Sequence, residues 1–240
     1  MDLKIKIDQY CSYFKDQLGK IVTIDGRLHQ KILLVVIFDT WARARYPNEK
    51  TNRKRFVSLI REYSGWSESE RVSLPQLCLL LEELAKKEPT EPPKEPTALM
   101  KEVRYMLSRW EYGKIHRLGK DPVAADLEGH VADDNEWKII HSSRHAELFY
   151  TYRNHLIHEF REPGYGMEFS DDGTTPYYHG MANDNGTWEL VYPIGFLVNT
   201  AETLITNLTV YFMANNLDPF SSYDFGSLWT RKGARSVSGM

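Results

Sequence analysis

Tyr152-Arg153-Asn154-His155-Leu156-Ile157-His158-Glu159-Phe160 is the stretch on which the reading of the fold turns. At about 100° per residue, Phe149, Tyr152, Leu156 and Phe160 fall on one narrow stripe, so the segment is predicted to pack as a helix into a bundle. Asn154 and His158, one turn apart, come out near the opposite side, where the Asn amide can reach the imidazole and orient it. Arg153 lies nearer the edge of the stripe, about 140° from His158, and its long stem is expected to bring the guanidinium round to the histidine. An outward helix face ordinarily carries Lys and Glu, so Arg-Asn-His-x-x-His is an unusual choice for solvation alone. With 15 Arg and 8 His in the chain, pairs such as Arg109 and His116 recur by chance. The apolar-striped setting is what separates Arg153 and His158 from them.

Working outward, the chain is mostly helical. Leu3, Ile5 and Ile7 alternate, and residues 8–18 are predicted as a short helix closed by Gly19. After an Asp25-Gly26 turn, residues 28–45 form a long apolar-rich helix, ended by Tyr46-Pro47, that is expected to be the central element. Further helices are predicted at 53–63, 73–84 with Ser73 as cap, 98–110, 135–160 as one long helix, and 196–215. Three short strands, at 167–169, 177–181 and 187–192, are separated by turn signals at 171–173 and 183–186. The expectation is a single unit over residues 1–217, an antiparallel helical bundle with a small antiparallel β insertion at 166–193 between the last two helices. Residues 88–97, with Pro89, Pro92, Pro93 and Pro96, read as a surface linker, and 218–240 as a flexible tail.

Composition sets bounds. A chain of 240 residues, 42% hydrophobic and 26% charged, can bury a substantial core. The longest strongly apolar run, residues 32–38, is short of the ~18 residues a membrane span needs, and the start lacks a signal-peptide apolar region, so a cytoplasmic location is expected. Cys11 and Cys78 have neither metal-type nor disulfide-framework spacing and read as small buried side chains. The net charge of -3 argues against coating nucleic acid by bulk electrostatics, so any contact must be local. The local candidate is the basic segment of Arg43, Arg45, Lys50, Arg53, Lys54 and Arg55. Its last three cations fall in the first turn of a helix, where the macrodipole slightly disfavours them.

A helical bundle whose late helix carries Arg153-Asn154-His155-Leu156-Ile157-His158 resembles the HEPN superfamily, whose motif is Arg-x(4 to 6)-His with a polar residue after the arginine. The resemblance implies a homodimer whose motif helices face each other across a composite cleft. It also implies a metal-independent RNA endonuclease without a cofactor, active as a toxin or anti-phage effector, with an antitoxin or regulatory protein as a possible partner. His158 would be the acid and base, Arg153 the phosphate clamp and Asn154 the orienter, with Arg43, Arg45, Arg53, Lys54 and Arg55 binding substrate. Phe160 replaces the tyrosine that one branch of the family has adenylylated, which puts that form of silencing in doubt. Two rivals stand beside this reading: a non-catalytic HEPN-like module that binds RNA, nucleotide or protein, and a metal hydrolase built on His141, His145, His155 and His158. Asp39, beside Trp41 and Arg43, is either a further polar member of the cleft or a structural ion pair.

Overall fold

The computed structural model describes residues 2–86, 95–164, 166–168, 173–181 and 187–221. The expected segments at 88–94 and 222–240, and most of both turns in the β insertion, lie outside them. The described chain is mostly helical with one small antiparallel sheet, as the periodicity indicates. Among the described residues no helix is long and apolar enough to cross a membrane.

The first helix, α1 (Leu3–Ile21), is longer than its sequence signals suggest. Asp2 caps it by accepting from the Lys4 N–H, and Ile7, Tyr10, Cys11, Phe14, Leu18 and Ile21 form one buried stripe that carries the helix through Gly19. Helix α2 (Arg27–Arg45) is the central element: Leu34, Val35, Phe38 and Trp41 are buried, and it packs on α1, α3 (Asn52–Tyr63) and α9 (Ile194–Asn215). Each such apolar side chain contributes roughly 1.5–3 kcal/mol when fully buried. With Phe56, Phe149, Leu204 and Phe212 they make the larger of two hydrophobic clusters. The smaller cluster joins α4 (Leu74–Lys86), α5 (Ala98–Ser108), α6 (Ala124–Leu127) and α7 (Asp134–Ser142) through Leu77, Leu99, Val103, Leu127 and Ile140.

The predicted single helix over 135–160 is two helices. It stops at Ser142 and restarts as α8 (His145–Asn154), because α7 buries Ile140 in the smaller cluster while α8 buries Ala146 and Phe149 in the larger. The break is stitched by backbone. Arg144 bridges Val72, the Ser73 N–H donates to the Ser143 carbonyl at 2.9 Å, and the first N–H groups of α8 donate to Arg71 and Ser69 carbonyls. A π-helical turn, His155–Glu159, follows, and Phe160 ends it in the left-handed region at φ 55. The wider turn breaks the stripe: Phe149, Tyr152 and Leu156 are buried as expected, but Phe160 is 58% exposed.

The sheet is β1 (Ile115–Arg117), β2 (Tyr177–Met181) and β3 (Thr187–Val191), in that order. Its first strand comes from the connection after α5; of the expected strand at 167–169, Met167 and Glu168 lie outside the sheet, and residue 169 is outside the described residues. Glu168 instead turns inward to pair with the fully buried Lys31 of α2 at 2.8 Å. At the chain's far end Asp218 pairs with Lys6 and Phe220 packs edge-on against Tyr10, so the start of the expected tail is held down. Cys11 is buried, but Cys78 is only partly so, near Glu82 and Arg104.

Candidate functional site

Arg153 does not swing round to His158. It is buried and turned toward α2, where its Nε donates to Asp39 Oδ2 at 2.8 Å and its Nη2 donates to the same oxygen, while Nη1 donates to Asn154 Oδ1 at 2.8 Å. Asn154 therefore orients the arginine, and no hydrogen bond joins it to His158 in the described structure. The physical reason is the neighbouring carboxylate. A charge-assisted pair with Asp39 outweighs a neutral contact with an imidazole, and the shallow angle between Arg153 and the apolar stripe aims the guanidinium inward. Asp39 forms the ion pair, with Arg153 itself, and also lines the neighbouring cleft. Burial pushes the Asp39 carboxyl above its ordinary value, against the pull of Arg153, Arg55 and His158.

Beside Asp39 a cleft of about 230 Å³ opens between α2 and α3, lined by Arg43, Asn52 and Arg55 as well as Thr40 and Ala42. Arg43 is exposed, and Arg55 donates to Asn52 Oδ1 at 2.6 Å. His158 is exposed on the π-helical turn. Arg43 and Arg55 thus line the cleft with Asp39, to which Arg153 is bonded.

The remaining cations go elsewhere. Arg45 is structural: its Nε donates to the Tyr63 hydroxyl at 2.6 Å, and its guanidinium lies 4.3 Å from the Tyr46 ring centre and 3.9 Å from that of Tyr211, tying α2 to α3 and α9. Arg53 pairs with Glu147 at 2.7 Å, and Lys54 is exposed at the start of α3. The four histidines of the metal reading do not converge. His141 stacks on Trp137, His145 is buried with its Nε2 2.8 Å from Asp121, His155 pairs with Glu159 at 2.8 Å, and His158 faces solvent. Among the described residues no group of three or more His, Cys, Asp or Glu is placed to hold a metal ion.

Two buried polar networks escaped the sequence reading. Lys31 meets both Glu162 and Glu168 at 2.8 Å, and Tyr152 donates its hydroxyl to Glu162 at 2.7 Å, so Tyr152 anchors the chain after the motif. Lys31 stands in core register with Leu34, Val35 and Phe38, and a lysine there requires hidden carboxylates, which is the signal that could have found them. The second network joins Asp121 to His145 and to Tyr178, whose hydroxyl donates at 2.7 Å.

Comparison with known proteins gave no match: no family model, no curated protein and no solved structure matches this chain.

Proposed function

We propose that this chain is a metal-independent RNA endonuclease of the HEPN type that works as a homodimer. The observation that supports the reading most is the Arg153 guanidinium held by Asp39 and Asn154 beside a cleft that carries Arg43 and Arg55, with His158 exposed nearby. Three of the five guanidinium N–H groups are engaged, and our reading requires that the other two reach a phosphate oxygen from the half-closed floor of the site. In the reaction, one His158 takes the proton of a ribose 2′-hydroxyl as its oxygen bonds to phosphorus. The P–O5′ bond breaks, and a second His158, from the partner protomer, gives a proton to the leaving 5′-oxygen. Arg153 meets the charge that grows on the phosphorane, and Arg43 and Arg55 hold the flanking phosphates. The products are a 2′,3′-cyclic phosphate and a free 5′-hydroxyl. The setting we propose is a toxin or anti-phage effector restrained by an antitoxin or regulatory protein.

One observation favours a second reading, a non-catalytic module that binds RNA, nucleotide or protein: Asp39 already neutralises Arg153. The deciding experiment is cleavage of labelled total RNA and tRNA in EDTA by the parent beside His158→Ala and Arg153→Ala proteins of equal helicity. Cyclic-phosphate ends from the parent alone are expected. A folded, inert parent that still binds RNA would replace the nuclease reading with the binding module.

A further inference from the structure

A second cleft, of about 330 Å³, opens between α4, α8 and the strands β2 and β3. Leu148, Thr151, Tyr152 and His155 line it, so it occupies a different face of the helix that carries Arg153. Its aromatic wall is Trp188, which is not a mobile surface ring. The indole stacks on Tyr112 at 4.9 Å and 16°, takes edge contacts from Trp110 and His116, and lies so close to Gly180 that a Cβ there would stand 2.8 Å from it. Two polar groups of the lining have no protein partner among the described residues. Tyr192 is 2% exposed, with its hydroxyl closed off from solvent and without a hydrogen bond, and the carboxamide of the partly exposed Gln76 makes none. The Tyr192 hydroxyl lies behind the wall, and the Gln76 carboxamide is the group that can meet a ligand's hydrogen-bonding edge.

We infer that this cleft holds a nucleobase flanking the cut, stacked on Trp188 and read along its edge by the Gln76 carboxamide. The inference rests on the RNA reading above. A base is flat, apolar on its faces and polar at its rim, which is the chemistry this lining combines, and a carboxamide offers a donor and an acceptor side by side. Because Tyr152 and His155 bracket Arg153 and Asn154 in the chain, one helix fixes the base site relative to the phosphate site. The sheet thereby gains a purpose in substrate selection.

The test is calorimetric titration of the His158→Ala protein with the nucleoside 3′-monophosphates of A, G, C and U, which reads binding without turnover. Saturable binding is expected, with the best base at least about ten-fold tighter than the weakest. Gln76→Ala, at a partly exposed and unpartnered side chain, should erase that preference. Leu79→Trp, at a lining residue that is 56% exposed, should weaken all binding at least about five-fold by filling the cleft. Absence of saturable binding, or equal affinities that neither substitution changes, overturns the inference. Base-selective binding by a chain whose parent cuts no RNA would leave this site standing and sink the nuclease alone, whereas cutting without such binding sinks this inference alone.

Discussion

Asp39 and Asn154 take three N–H groups of the Arg153 guanidinium, so the direction of the remaining two depends on them. Asp39→Asn keeps the side chain's shape and removes the charge that fixes the fork. Cleavage is expected to fall about 10²-fold, the scale of a catalytic group displaced by an ångström, with far-UV circular dichroism unchanged. Cleavage at the parent rate would mean that Arg153 needs no such holder. Lys31 makes the parallel case for stability. It is fully buried against Glu162 and Glu168, so Lys31→Met strands two carboxylates in a poorly solvated pocket. Urea unfolding should show a loss of about 3–5 kcal/mol, and a loss under about 1 kcal/mol would mean that water reaches those carboxylates. The lysine itself stood in plain view in the apolar register of α2. Its partners did not, because Glu162 and Glu168 lie about 130 residues away and are brought to it by the turn after the motif helix.

The helices were legible wherever one face had to be buried in one cluster. The stripes of α2, α3 and α9 repeat every three to four residues, and the structure keeps them as helices with boundaries close to the expected ones. What the sequence did not disclose was the break at Ser143 and Arg144, since no proline or glycine stands there. The break exists because consecutive stretches serve different clusters, a tertiary cause that periodicity cannot record. Nor could alternation identify the first strand, because Ile115–Arg117 is three residues long and pairs with a strand about sixty residues on. The candidate site was half legible. Arg153, Asn154 and His158 were singled out by their setting, but the bond of Arg153 to Asp39, beside Arg55, comes only from the packing of the helices. The joint between the helices yields its own prediction. Asp121 accepts from Tyr178 at 2.7 Å, lies 2.8 Å from His145 Nε2, and accepts from the Leu74 N–H at 3.4 Å. Asp121→Ala leaves these groups buried without a partner, so urea unfolding should show about 3–5 kcal/mol lost. A near-parental midpoint would show that the joint is held by its backbone bonds instead.

At the scale of the whole molecule, the helix carrying Arg153 packs on the larger cluster, with the smaller cluster and the sheet beside it. His158 is solvent-facing and single in each chain, while transesterification needs both a base and an acid. The proposed homodimer resolves this by setting two motif turns across one cleft, and the proposal has a quantitative consequence in mixtures. If each site needs His158 from both protomers, a mixed dimer with one His158→Ala chain is inactive. Adding an equal amount of that variant, at constant parent and after subunit exchange, then leaves roughly half the parent chains paired with each other. Activity per parent chain should fall to about half and continue downward as more variant is added. Should it stay constant at every ratio while native mass spectrometry shows mixed dimers, each chain carries a complete site, and the acid must be sought within the protomer, where the nearest candidate on the same turn is His155 beside Glu159.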